Sequence, residues 1–249
     1  MPVIDYLGRR HHRARLVRDV LRSDIIVGAW ADRLLPSEDE LAKQFDVGRN
    51  VIRASLNMLV QENLLRRIPG RGTQATSHIV VHQLNTLRAI AEGDEAGADL
   101  PVYEQLHWGP VSATAPVAKR LGVPAGTEIL LWERLTRGQV PMVLWSSFIR
   151  SDLGLSAPDP HGPAQREGTF AFFESFGLDV GRAIVHTGAA QADEAVAELL
   201  EVAPGTTLLV HVRQTLLRDG TPIEVATGYH RPDQMVFVNS FERVKPPAS

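Results

Sequence analysis

The chain contains no cysteine. That excludes disulfides, thiolate metal sites and a thiol nucleophile together, and it fits a reducing cytoplasm. Long hydrophobic runs are also missing. No stretch approaches the roughly 20 apolar residues that span a bilayer, and Met1 to Arg15 holds no apolar segment of the signal-peptide kind. The expectation is a cytoplasmic protein with no membrane partner. Lysine is scarce, confined to Lys43, Lys119 and Lys245, so nearly all positive charge is arginine. The nine histidines show no metal-ligand spacing, and no motif pairs a nucleophile with a base, so no metal and no other cofactor is expected.

What is present is unevenly distributed. A length of 249 residues suits one large or two ordinary domains. Residues 1–77 carry 13 Lys+Arg against 9 Asp+Glu, a net of +4, whereas residues 78–249 carry 13 against 20, a net of −7. A basic first part beside an acidic second part is the pattern of a chain whose first part meets a polyanion.

The basic part has internal order. Leu16, Val17, Val20, Leu21 and Ile25 recur with a helical period between Arg13 and Val27. Ser37, with Glu40 three residues on, forms a capping box that starts a second helix running to Phe45. After the turn Asp46-Val47-Gly48, a third helix runs from Arg49 to Glu62. Leu41, Phe45, Ile52, Leu56 and Leu59 are the apolar positions that lock these two helices together. Arg49 and Arg53, at i and i+4, share one face near the third helix's N-terminus. Leu64 to Ile68 and Gln74 to Thr76 then read as two strands around Pro69-Gly70-Arg71-Gly72. The whole is a winged helix-turn-helix with a glycine-tipped wing.

The acidic part contains an internal repeat. Ala118, Leu121, Val123, Gly126, Thr127, Leu130, Arg134 and Thr136 recur, 79 positions later, as Ala197, Leu200, Val202, Gly205, Thr206, Leu209, Arg213 and Thr215. Each copy reads as a helix, a tight turn and a strand. A further strand follows each, at Pro141–Ile149 and Pro222–Tyr229, the second after the hairpin signal Arg218-Asp219-Gly220-Thr221. A helix is expected at Thr169–Phe176 and a strand at Arg182–Ala189. Two such copies give an α+β domain with a largely antiparallel sheet.

The first set of motifs, Leu34-Leu35-Pro36-Ser37-Glu38 with Arg49, Arg53 and Gly70-Arg71-Gly72-Thr73, resembles the GntR family of bacterial transcription regulators. The repeat, with Pro222-Ile223-Glu224 and His230-Arg231-Pro232-Asp233, is similar to the UTRA effector domain of its HutC subfamily, whose fold resembles chorismate lyase. The resemblance implies a DNA-binding domain over 1–77, a linker over 78–101, and an effector-binding and dimerisation domain over 102–249. It further implies a homodimer on a double-stranded operator of inverted-repeat form, released by a small-molecule effector in the manner of a repressor. The DNA-contacting set it implies is Ser37, Lys43, Arg49, Asn50, Arg53, Arg67, Arg71, Gly72 and Thr73. Arg49 and Arg53 meet bases or phosphates, Asn50 meets adenine or faces solvent, Arg71 suits a narrow minor groove, and Lys43, Arg66 and Arg67 meet phosphates. The implied effector set is Arg134, Thr136, Trp145, Thr169, Glu224, His230 and Arg231. Arg134 either holds an anionic ligand group or pairs with Glu133 or Glu224.

The chain departs from the family at several positions. Gly48 stands where a Ser or Thr cap is usual, and Val51 where Thr is common. Sugar-phosphate-binding members carry a second Arg where this chain has Thr136, a Glu where it has Trp145, and a Tyr where it has His230. These changes reduce positive charge and add aromatic surface, with Trp145, Phe148 and Phe172 either lining the pocket or serving as core. The expected ligand is a carboxylate with an apolar body. The competing reading is an enzyme that converts a small molecule on the chorismate-lyase-like domain, with His186, His230, Glu224 and Arg134 as an acid–base set.

Overall fold

The computed structural model of the chain describes residues 10–30, 33–76, 79–83, 102–159 and 163–242. It divides into two compact units, Met1–Val80 and Val81–Ser249.

In the first unit, helix α1 (Arg10–Ile26) buries Ala14, Val17, Leu21 and Ile25, a stripe at helical spacing. Leu16 and Val20 lie outside that stripe and are exposed. The stripe packs on α3 (Arg49–Gln61), which buries Val51, Ile52, Leu56 and Leu59. Two polar links fix the pair. The buried Ser55 hydroxyl lies 2.8 Å from the carbonyls of both Ala14 and Val51. Arg22 of α1 forks onto Glu62 just past α3, with contacts of 2.8 and 2.6 Å. Helix α2 (Glu38–Gln44) starts at the expected capping box. Glu40 N–H donates to the Ser37 hydroxyl at 3.3 Å, and Ser37 N–H donates to the Glu40 carboxylate at 2.8 Å. The wing is the antiparallel pair β1 (Leu65–Ile68) and β2 (Gly72–Ala75), in register Arg66↔Gln74 and Ile68↔Gly72.

In the second unit the repeat is longer than the motif that revealed it. The first copy is β4 (Val102–Ser112), α4 (Ala115–Leu121), β5 (Glu128–Arg137) and β6 (Pro141–Arg150). Helix α5 (Pro163–Ser175) intervenes. The second copy is β7 (Val180–Gln191), α6 (Glu194–Leu200), β8 (Thr207–Leu217) and β9 (Pro222–His230). Equivalent backbone bonds close the two helix turns: Ala113 N–H to Thr127 and Ala192 N–H to Thr206, both 2.8 Å. The six strands form one antiparallel sheet in the order β4-β5-β6-β9-β8-β7, three from each copy. Helices α4 and α6 cover one face, where Ala118, Leu121, Ala197 and Leu200 meet Ile129, Leu135, Leu144 and Leu208.

Two parts of this unit differ from the sequence expectation. The stretch assigned to a linker, 78–101, contains a strand, β3 (Val80–Gln83), which pairs with β10 (Met235–Val238), an element without a sequence signal. Residues 84–101 lie outside the described residues. The strand β4 was likewise not expected.

Candidate functional site

The basic surface of the first unit is built on the N-terminal turns of α3. Arg49 and Arg53 are exposed there, as is Asn50. Neither arginine stands alone. Arg49 forms an ion pair with Asp39, and Arg53 donates to Glu38 at 3.0 Å. Arg67 of the wing donates to Asn57 at 2.6 Å and lies 3.9 Å from the same Glu38. The acidic first turn of α2, favoured at the positive end of a helix dipole, therefore holds three arginines in a defined fan. Glu38, Asp39 and Asn57 were missed from the sequence, although two carboxylates directly after a cap, ahead of an arginine helix, were visible there. Lys43 is exposed and shares a concave surface with Arg13, Asp39, Asp46, Gly48 and Arg49. Arg71 and Gly72 are exposed at the wing tip, Thr73 is half-buried, and the Ser37 hydroxyl is engaged in its cap. Val51 is buried in the core, so the Thr that is common at this position would have no outward-facing hydroxyl in this fold. Gly48 caps α3 in an extended conformation without a side-chain bond.

The sheet face opposite α4 and α6 carries most of the expected effector set. Strand register places Arg134, Trp145, Gly228 and His211 in one row across β5, β6, β9 and β8. Trp132, Ser147, Ala226 and Arg213 form the next row. Helix α5 lies over these rows. Gly168 breaks it with φ +82°, a conformation L side chains rarely adopt, so that a new helical stretch begins at Thr169. There the Thr169 hydroxyl accepts a 2.6 Å bond from Arg134 Nη2, while Arg134 Nη1 donates to Ser147 at 3.0 Å. The Arg134 guanidinium stacks over the Trp132 ring at 4.0 Å. It is 1% exposed, and among the described residues no carboxylate bonds to it. Burial lowers its pKa to about 10, against the raising influence of Glu224, and it stays charged near neutral pH.

Neither pairing expected for Arg134 occurs. Glu133 accepts from Ser146 on the other face. Glu224 receives Arg213 through Nε and Nη2, at 3.1 and 3.0 Å, and the Thr215 hydroxyl at 2.6 Å. Burial alone would raise the Glu224 carboxyl, but Arg213, Arg134 and Thr215 outweigh it and keep it ionised. Arg213, the repeat counterpart of Arg134, was not among the expected site residues, although the 79-residue offset pointed to it. It lies 4.5 Å from the Trp145 ring and 5.0 Å from Phe170. Gly228 lets Trp145 and His230 approach the sheet. A Cβ there would come within 2.9 Å of both.

His230 is buried beside His211 and Trp145, and Phe237 of β10 packs on both imidazoles. His82 of β3 reaches Phe237 from the other side. Burial first, then neighbouring positive charge, pulls these imidazoles down: His211 to about 4, and His230 well below its ordinary value. Thr136 is buried one row beyond Arg134.

The expectation for Arg231 needs correction, and the alternatives left open for Phe148 and Phe172 divide between them. Arg231 is scaffold: Nε and Nη2 bind Asp233 at 3.1 and 2.8 Å, and Nη1 binds the Leu200 carbonyl at the end of α6. Phe148 lies on the α4 face, in the core, while Phe172 does join Trp108 and Trp132 on the site's face. Nor does the acid–base set assemble. His186 pairs in register with Val212, whose side lies opposite that of His211, and it is exposed.

No helix among the described residues is long and apolar enough to cross a membrane. The sequence profile of bacterial regulatory proteins, gntR family, matches residues 13–74, and that of the UTRA domain matches residues 98–235. The chain is 28% identical to the HTH-type transcriptional repressor NagR of Bacillus subtilis over 86% of this chain and 87% of that one. It is 31% identical to the HTH-type transcriptional regulator SCO4628 of Streptomyces coelicolor, over 79% and 80%. Among solved structures, PhnF from Mycobacterium smegmatis shares the fold, with a TM-score of 0.62 at 24% identity over 91% of this chain and 99% of that one. The two relatives named here carry transcriptional-regulator names, and this chain belongs to the GntR family of transcription regulators, with a helix-turn-helix domain followed by a UTRA domain.

Proposed function

We infer that the protein is a HutC-type repressor: a homodimer that binds an inverted-repeat operator and is released by a small carboxylate with an apolar body. The observation that carries the ligand class is the contrast between two repeat-related arginines. Arg213 is neutralised by Glu224. In strand register Val143 stands opposite Thr136 as Glu224 stands opposite Thr215, so the first copy has an apolar residue where the second has its carboxylate, and among the described residues no carboxylate bonds to Arg134. An ionised group buried without its counterion is costly, and a ligand carboxylate supplies what Glu224 supplies to Arg213. The aromatic walls, Trp132, Trp145 and Phe172, suit an apolar body. The ligand acts by linkage: it favours the dimer arrangement that fits DNA poorly and weakens operator binding by its differential affinity. The repressor sense follows that of NagR.

The dimer reading draws on strand β7. Sheet edges are ordinarily blunted by charge, proline or bulges. At the far edge, β4 has all three: Glu104, Pro110 and a bulge between Gln105 and His107. From Ala183 to Ala190, β7 has no charged residue, no proline and no break in register, and Ile184 and Val185 are 37% and 38% exposed. A second copy fits this edge. Antiparallel pairing of two β7 strands brings Arg182 of each toward the acidic Asp193-Glu194 end of the other.

The test is to incubate the purified protein with fragmented genomic DNA at moderate salt and sequence what is retained. Enrichment of one inverted repeat, bound by two chains per site, is the expected result. Retention of unrelated fragments, or one chain per site, would refute the reading.

A further inference from the structure

Among the described residues of the second unit, the buried side-chain nitrogens and oxygens without a hydrogen-bond partner belong to five residues: Trp132 Nε1, Arg134 Nε, Thr136 Oγ1, His211 Nε2, and both ring nitrogens of His230. Buried polar groups are nearly always bonded, so chance would scatter such exceptions. Here all five residues lie on one face of the sheet, in three adjacent cross-strand rows. Trp132, Arg134 and Thr136 alternate along β5, Thr136 continues across Val143 to His230, and Arg134 continues across Trp145 and Gly228 to His211.

The geometry points to a second polar subsite at His211 and His230, so that the effector is two-ended: a carboxylate at Arg134 and, across the Trp145 ring, a neutral group that both donates and accepts hydrogen bonds. This rests on the carboxylate reading of Arg134 and extends it. The chemistry of the far end follows from the imidazoles. A neutral imidazole offers one N–H and one lone pair, so a hydroxyl or a primary amide satisfies it. A second carboxylate only accepts. An ammonium only donates, and it would be repelled by Arg213 nearby. Arg213 does not call for a second anion, because Glu224 already bonds to it. The span is set by the sheet: β5 and β9 are two strands apart, about 10 Å at the usual spacing, with Trp145 on the strand between. The roof differs at the two ends. Thr169 and Phe170 of α5 cover the arginines, and His82 and Phe237 of the β3–β10 pair cover the histidines. Arg213 uses Nε and Nη2 on Glu224, and the corresponding Nε of Arg134 is among the unpartnered atoms. The carboxylate end is thereby aimed at the same edge of the guanidinium.

The experiment uses the full chain and matched pairs of probes: pentanoate and 5-hydroxypentanoate, hexanoate and 6-hydroxyhexanoate, heptanoate and 7-hydroxyheptanoate, 3-phenylpropanoate and 3-(4-hydroxyphenyl)propanoate. Tryptophan fluorescence reads binding, since Trp132 and Trp145 line the path. For at least one pair the hydroxylated member should bind about two- to tenfold more tightly, the range one added hydrogen bond gives. His230→Phe, which keeps the ring volume, should erase that preference, and Arg134→Gln should weaken both members alike. Arg134-dependent binding with no preference in any pair would overturn the second subsite and leave the carboxylate reading standing. No Arg134-dependent binding by any probe would overturn both.

Discussion

Mild acid should destabilise the second unit through its histidines. In the unfolded chain an imidazole titrates near 6.5, whereas burial holds His211 near 4 and His230 well below its ordinary value. For a group whose folded pKa is depressed in this way, the neutral native form is fully compatible with folding above about pH 6.5. As pH falls below that value the unfolded state takes up protons that the folded state refuses, and stability drops by about 1.4 kcal/mol per pH unit for each such histidine until the folded pKa is reached. From pH 7.5 to 5, His211 alone should lose about 2 kcal/mol, and His230 adds a loss of the same sign. That is a large share of the 5–15 kcal/mol typical of a domain. The groups that face the cluster are His82 from β3 and Arg213 from β8, both of the wrong sign to compensate. Lowered carboxylates such as Asp152 and Asp179 lose their contribution only as pH falls through and below about 4, so the window from 6.5 to 5 belongs to the imidazoles. Urea unfolding at constant ionic strength, followed by tryptophan fluorescence, is the assay, because Trp108, Trp132 and Trp145 all lie in this unit. The doubly substituted His211→Phe, His230→Phe protein should show a flattened pH slope. A native protein equally stable at pH 7.5 and 5, or an equally steep slope in the double variant, would refute the reasoning.

Four other outcomes follow from the geometry. Arg49→Ala should cost about 1–3 kcal/mol of operator binding if Arg49 reads a base, and unchanged affinity in a salt-controlled titration would remove it from the readers. Glu224→Gln leaves Arg213 buried without its counterion and should destabilise the second unit by about 3 kcal/mol or more, measured as a shift in the urea midpoint. Gly48→Ser adds the missing cap acceptor at a position with open space and should stabilise α3 by a few tenths of a kcal/mol; a lower melting temperature would contradict this. Val185→Lys places a charge in the middle of β7 and should shift the protein toward monomer in sedimentation equilibrium, with no change expected if the dimer forms elsewhere.

The sequence was most legible where local chemistry and period agree. Ser37 and Glu40 announce a helix start, Arg49 to Gln61 has a clear apolar stripe, and glycines mark the wing. The 79-residue repeat disclosed the helix-strand-strand units because buried positions such as Leu121/Leu200 and the turn glycines tolerate little change. The strand β4 was harder to read. It is an edge with mostly exposed residues and a proline, so alternation is faint. Yet it held matches to β7 at the same offset, His107/His186 and Gly109/Gly188, and Ala113/Ala192 follows just beyond both strands. The β3–β10 pair joins segments about 150 residues apart, too short to carry a periodic signal of their own. Within the site, the sequence named Arg134 and Glu224 together, and strand register sets both on one face of the sheet, but their partners were not legible. Which of two arginines receives the carboxylate depends on strand register, and a one-residue difference in register moves every side chain to the opposite face.

The two halves of the sheet invite comparison as before and after. A duplicated unit starts with two alike chambers, and each arginine then faces the same problem of charge. The second half solved it permanently, by placing a glutamate on the neighbouring strand. The first half has Val143 there instead, and on our proposal its arginine is satisfied from outside. On that proposal the closed Arg213–Glu224 fork is a covalently tethered image of what a ligand carboxylate does at Arg134. On the same proposal a Val143→Glu exchange would copy that solution into the first half and yield a regulator that is its own effector, deaf to its signal.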